Sequence, residues 1–194
     1  MPRLFTGLEI PADVRAMLAR LSAPLPGANW IDSCNYHVTL RFAGDVDNRT
    51  AHEFATELAR IDVRCFTMRI SGLGVFGAKD PHSLWAGIEA GPELETLARA
   101  NERAARLAGL KPETRAFHPH VTLARLKYSR DDALARYLGR NAVFRSPDIP
   151  VGRFLLFSSK PSVGGGPYVV EETFPLAGGP YTHGDENGHD HDHW

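Results

Sequence analysis

The sequence predicts an α+β protein with largely antiparallel sheets and helices packed outside them. Two observations carry the prediction. The apolar periodicities run in the order β-α-β-α-β-β-α-β-α-β-β, with short turn segments between them. The tetrapeptide His37-Val38-Thr39-Leu40 returns unchanged as His120-Val121-Thr122-Leu123, and a helix follows each copy. The two halves of the chain therefore read as related copies of one unit.

Residues 4–10 form the first strand. Pro11 then suits a first helical turn, and Val14, Met17, Leu18 and Leu21 follow at helical spacing. Pro24-Leu25-Pro26-Gly27 ends that helix. Residues 36–42 alternate, with Tyr36, Val38, Leu40 and Phe42 on one face and His37, Thr39 and Arg41 on the other. Asn48 or Thr50 is expected to cap a second helix through Ala59. Residues 64–71 and 83–89 are two further strands, and residues 92–107 an amphipathic helix stopped by Gly109. Residues 119–126 carry the second motif, residues 131–138 a short helix. Residues 151–159 and 168–174 close the chain as a strand pair around Gly164-Gly165-Gly166.

A chain of 194 residues, 43% hydrophobic and 23% charged, is expected to form one ordinary water-soluble domain over residues 1–178. Residues 179–194 are expected to be a disordered His/Asp-rich tail. The amino-terminal residues lack the apolar stretch of a signal peptide, and no apolar run is long enough to span a bilayer. A cytoplasmic monomer with no membrane partner is the expectation. Cys34 and Cys65 form no CxxC pair and are expected as free thiols.

The net charge of −1 hides an asymmetry. Asp185, Glu186, Asp190 and Asp192 all lie in the tail; without them the chain carries 22 basic and 19 acidic residues. That excess is too small to wrap a duplex but suits a small anion. Arginine, whose planar fork grips phosphate, far outnumbers lysine.

The repeated tetrapeptide carries the chemistry. Side chains two apart in a strand share a face, so each copy sets one imidazole beside one hydroxyl. Facing strands would supply two imidazoles and two hydroxyls, enough for acid–base work on a phosphate without metal or cofactor. In-line attack by water on a phosphate ester comes from opposite the departing oxygen, so base and acid must flank phosphorus. His37 and His120 are the candidates for that pair. Thr39 and Thr122 can donate to the non-bridging oxygens as charge builds there. Phe42 and Arg125 stand five residues after each histidine, and both types stack on bases. Strict alternation puts them on the face opposite their histidines, so contact with substrate needs a bulge or a strand end.

Other patterns carry less. Gly72-Leu-Gly-Val-Phe-Gly77 matches GxGxxG, but no helix opens after it. Cys34-x-x-His37 has no second pair to complete a zinc site. His183, His189, His191 and His193 alternate with acids and could catch a divalent metal adventitiously.

With their flanks, the motifs resemble the 2H phosphoesterase superfamily. His37-Val-Thr-Leu-Arg-Phe-Ala-Gly44 and His118-Pro-His-Val-Thr-Leu-Ala-Arg125 are similar to its RNA 2′,3′-cyclic phosphodiesterase (2′-5′ RNA ligase-like) branch. So are Gly72-Leu-Gly-Val-Phe76, Leu84-Trp-Ala-Gly87 and the Gly164-rich hairpin ending at Phe174-Pro175-Leu176. The resemblance implies two pseudo-symmetric lobes of antiparallel sheet forming a groove lined by His37, Thr39, His120 and Thr122. It also implies hydrolysis of RNA 2′,3′-cyclic phosphate ends, or nucleotide 2′,3′-cyclic phosphates, to 2′-phosphates. His120 is cast as the base and His37 as the acid, an order the residues themselves leave open. The alternatives are joining or cleaving 2′-5′ linkages, opening another cyclic nucleotide, or nucleotide binding without turnover.

Overall fold

The computed structural model describes residues 1–162 and 164–179. The His/Asp-rich segment lies outside these residues, and with it the expectations of its disorder and metal binding.

The chain runs β1 (Arg3–Glu9), α1 (Ala12–Ala19), β2 (Ala28–Trp30), a 3₁₀ turn (Ser33–Asn35), β3 (His37–Asp45), α2 (Asn48–Leu58), β4 (Phe66–Phe76) and β5 (Ser83–Ala90). It continues as α3 (Pro92–Leu107), β6 (His120–Leu126), α4 (Asp131–Asn141), β7 (Ile149–Val151), β8 (Arg153–Ser159) and β9 (Val169–Pro175). Most of the expected elements are present, with four differences. Strand β2 is too short to show a period. β4 runs on through Gly72 to Phe76, past the glycines that read as its end. Gly152 splits the expected strand of residues 151–159 into β7 and β8. The cap of α2 is Asp47, whose carboxylate accepts from the Thr50 amide at 2.7 Å, in place of Asn48 or Thr50.

All strand pairs are antiparallel and join in one sheet, ordered β7-β4-β5-β6-β3-β1-β8-β9, with β2 added along β6. At its centre β3 and β6 meet through the single pair Val38↔Val121. The motif strands are thus the seam of the sheet, each backed by one flanking strand, β1 beside β3 and β5 beside β6.

The seam has two unlike faces. Val38, Leu40, Val121 and Leu123 point into the main core, together with Leu94, Leu97 and Ala104 of α3 and Phe54 and Leu58 of α2. The opposite face carries the motif polar groups and a second, smaller cluster of Phe5, Leu155, Phe157 and Tyr168. Gly7 of β1 lies so close to β3 that a Cβ there would stand 2.6 Å from the Val38 carbonyl oxygen. Among the described residues no helix is long and apolar enough to cross a membrane.

Candidate active site

A cavity of about 310 Å3 opens on the polar face of the seam. His37, Thr39 and Phe42 from β3 and Thr122 and Arg125 from β6 all line it. The antiparallel register about Val38↔Val121 sets His37 against Thr122 and His120 against Thr39. His120 does not line the cavity itself, but its charge acts on His37 across the seam.

The two imidazoles are held alike. His37 Nδ1 donates to the Asn35 carbonyl at 2.8 Å, and His120 Nδ1 donates to the His118 carbonyl at 2.6 Å. A carbonyl can only accept, so each Nδ1 carries the proton and Nε2 is left for chemistry. The same device, a carbonyl two residues upstream, is used twice. The Nε2 atoms differ: that of His37 pairs with the Thr39 hydroxyl at 2.9 Å, whereas that of His120 has no partner among the described residues.

Each ring also sits in an aromatic collar. Phe5 lies 4.8 Å and Tyr168 5.1 Å from the His37 ring, the latter edge-on. Phe76 lies 4.9 Å from His120, edge-on, with Trp85 at 6.1 Å. Burial in these collars pushes both imidazoles below their usual range, more than the carbonyl partners pull them back. Repulsion from His120 lowers His37 further, and repulsion from His118 lowers His120 further.

Phe42 and Arg125 correct the alternation argument. Along β1 and β3 the pairs are Thr6↔Arg41 and Gly7↔Thr39, so Leu40 has no partner. Along β5 and β6 the pairs are Leu84↔Ala124 and Trp85↔Thr122, so Leu123 has none. Each is a bulge at the same place in its motif, and each turns two successive residues inward: Leu40 with Arg41, and Leu123 with Ala124. The next residue then returns to the histidine face. Phe42 is consequently 40% exposed, with the Arg3 guanidinium 4.9 Å from its ring centroid.

The Arg41 side chain anchors one bulge. Buried to 8% exposure, it donates from Nε to Glu102 at 2.5 Å, from Nη1 to the Phe42 carbonyl, and from Nη2 to the Lys111 carbonyl at 2.5 Å. Its counterpart in β6 is the small Ala124.

Three cavity residues gave no sign in the sequence. Arg3 is held by Asp45 at 3.0 Å and adds a cation. Phe5 and Tyr168 wall the His37 side. Burial keeps the Tyr168 phenol protonated well past neutrality, although Arg125 acts the other way. The i−2 carbonyl partners leave no signal in residue type. Cys34 is no activated thiol: its hydrogen bond to Asp32 raises its pKa. Among the described residues no group of three or more His, Cys, Asp or Glu could hold a metal ion.

Two copies of one motif on one seam invite comparison with known proteins. Residues 8–85 and 88–168 match the family model for LigT-like phosphoesterases. The chain belongs to the LigT-like phosphoesterase family. Each matched stretch of this LigT-like phosphoesterase contains one His-Val-Thr-Leu. A protein named RNA 2′,3′-cyclic phosphodiesterase from Aeropyrum pernix is 37% identical over 122 residues, spanning 62% of this chain and 68% of that one. Its namesake from Aquifex aeolicus is 33% identical over 154 residues, spanning 77% and 82%. The crystal structure of TT0787 from Thermus thermophilus superposes with a TM-score of 0.71 at 25% identity, over 90% of this chain and 97% of the other. Escherichia coli LigT in apo form gives 0.74 at 23% identity, over 90% and 98%, which shows the LigT fold in this phosphoesterase.

Proposed function

We propose that this phosphoesterase hydrolyses RNA 2′,3′-cyclic phosphate ends, leaving a 2′-phosphate. The observation that carries the reading is the duplicated imidazole: two histidines, each with Nδ1–H locked on a carbonyl, each offering Nε2 beside one seam. The names of the Aeropyrum pernix and Aquifex aeolicus relatives support the substrate class.

In this mechanism His120 Nε2 takes a proton from water as the water oxygen attacks phosphorus. The bond from phosphorus to the ribose 3′-oxygen breaks, and His37 Nε2–H protonates that oxygen. The phosphate stays on the 2′-oxygen. Thr39 and Thr122 hydroxyls donate to the non-bridging oxygens, and Arg3 and Arg125 supply positive charge. The Nε2 of His120, without a partner among the described residues, suits the base. The more enclosed His37, once protonated, would donate to the leaving group with the Thr39 oxygen accepting its N–H meanwhile.

Both imidazoles are depressed, so the free site is neutral at pH 7. The bound anionic phosphate then raises the nearer imidazole's pKa and draws in the one proton the acid needs. This cation-lined, collared pair favours turnover over a module that only binds, since binding needs no two proton-transfer groups.

The test is an oligonucleotide ending in 2′,3′-cyclic phosphate, with the product end identified by phosphorus NMR. A 2′-phosphate is expected. A 3′-phosphate would reverse the leaving group, and an unchanged end would remove the reaction.

A further inference from the structure

A second cavity, of about 500 Å3, opens between the end of α1 and α4. Arg20, Arg130, Arg136 and Arg140 line it, and among the described residues no acidic one does. Asp132 alone serves both Arg130, at 3.2 Å, and Arg136, at 3.5 Å. Arg20 and Arg140 have no carboxylate within ion-pair distance among the described residues. Four guanidinium forks, only two of them paired to a carboxylate, make an anion-seeking surface whose geometry suits phosphates.

An aromatic residue precedes the cavity-lining Arg130 by two positions, in the loop that leads from β6 into α4. Tyr128 is 87% exposed, and its backbone sits at φ 53°, in the left-handed region that a tyrosine rarely adopts. Lys127 Nζ lies 5.4 Å from its ring centroid. The loop thus holds a large aromatic ring out in water with a cation against it. Such rings are the surfaces on which unpaired bases stack.

The two cavities lie at opposite ends of one short strand pair. Pro26 lines the arginine cavity and Ile31 the histidine cavity, with β2 between them along β6. Lys127 N donates to the Gly27 carbonyl at 2.8 Å and closes that pair at the arginine end, two residues after Arg125. The three extended residues Ala28–Trp30 span about 10 Å, at roughly 3.3 Å each. Stacked nucleotides rising about 3.4 Å each would cover this with about three units.

We infer that Tyr128 and the arginine cavity form a second docking region, for the single-stranded RNA that precedes the reacting end. The inference rests on the substrate proposed above. Tyr128 stacks an upstream base, and Arg20, Arg136 and Arg140 take backbone phosphates. Short ends occupy the histidine groove alone, and longer ones reach both.

Three proteins decide it: the wild type, the triple variant R20A/R136A/R140A and Tyr128→Ala. Each is assayed on a nucleoside 2′,3′-cyclic phosphate and on a decanucleotide with the same end. Anisotropy with a decanucleotide 3′-phosphate reports binding alone. The triple variant is expected to raise KM for the decanucleotide about tenfold or more, with a shallower salt dependence, and to leave the mononucleotide unchanged. Tyr128→Ala is expected to weaken decanucleotide binding about tenfold. Equal losses on both substrates, or no loss on the decanucleotide, would overturn the inference. So would competition by polyglutamate as effective as by RNA, which would leave a patch that reads charge only. If the wild type turned over neither substrate, the proposed reaction would fail. Anisotropy would still decide the docking region, by whether the variants lose decanucleotide affinity.

Discussion

Protonation of Nδ1 governs what Nε2 can do at both histidines, and the carbonyls of Asn35 and His118 fix that protonation. His37→Ala and His120→Ala should therefore each lower kcat by about 10²–10⁴ with the fold intact. The double variant should be little worse than either single one, because in the proposed mechanism both proton transfers belong to one event. Steady-state kinetics with circular dichroism checks this; multiplicative losses would mean two independent contributions. At Phe42 and Arg125 the expected effect is on affinity. Stacking is worth about 1–3 kcal/mol per base, so Phe42→Ala or Arg125→Ala should raise KM ten- to a hundredfold with kcat little changed. Arg125→Lys should rescue poorly, since an ammonium has no flat face. Unaltered KM for Arg125→Ala on a mononucleotide cyclic phosphate would take that residue out of the site. The histidines and threonines were legible because residue type and a spacing of two are enough to specify them. Arg3, Phe5 and Tyr168 were not, since ordinary residues from other strands acquire a role only by where those strands lie.

The bulges are decided one level up, within each strand. A period-2 pattern assigns Phe42 to the core face, and only the unpaired Leu40 returns it to the groove. Nothing in the residues 40–42 announces a bulge, because Leu, Arg and Phe all tolerate a regular strand. What sustains it is Arg41, whose guanidinium reaches Glu102 on α3 and the carbonyls of Phe42 and Lys111. Arg41→Met should leave those two carbonyls short of a donor and Glu102, 24% exposed, short of its nearest cation. A loss of about 3 kcal/mol is expected by chemical denaturation, together with a raised KM as Phe42 loses its backbone anchor. Arg41→Lys should recover little, since one ammonium cannot meet three acceptors in a plane. A stable Arg41→Met protein with unchanged KM would show that the sheet alone holds the bulge.

Across the whole molecule, the sheet holds two half-buried imidazoles at its seam. In the unfolded chain a histidine titrates near 6.5; in the fold both titrate lower. Below about 6.5 the unfolded state therefore binds more protons, so this contribution to stability is complete above that pH and is lost as pH falls toward the folded values. The melting temperature should drop between pH 7.5 and 5.5, and the drop should be smaller in His37→Gln. An equal drop in that variant would assign it to other groups. Activity should survive EDTA, and deletion of residues 183–194 should leave the rate unchanged, because the proposed proton transfers use only side chains at the seam. Metal dependence that followed the deletion would assign the His-rich segment a function.

The sequence by itself determined the α+β class, most strand and helix positions, and the two His-x-Thr pairs. Each of these depends on local periodicity or on residues two apart, which a chain reports without folding. Tertiary structure decided that the motif strands meet at Val38↔Val121, that paired bulges bring Phe42 and Arg125 beside them, and that carbonyls and aromatic collars tune the rings. These depend on pairing between segments as far apart as residues 5 and 168, and no local pattern encodes such pairing.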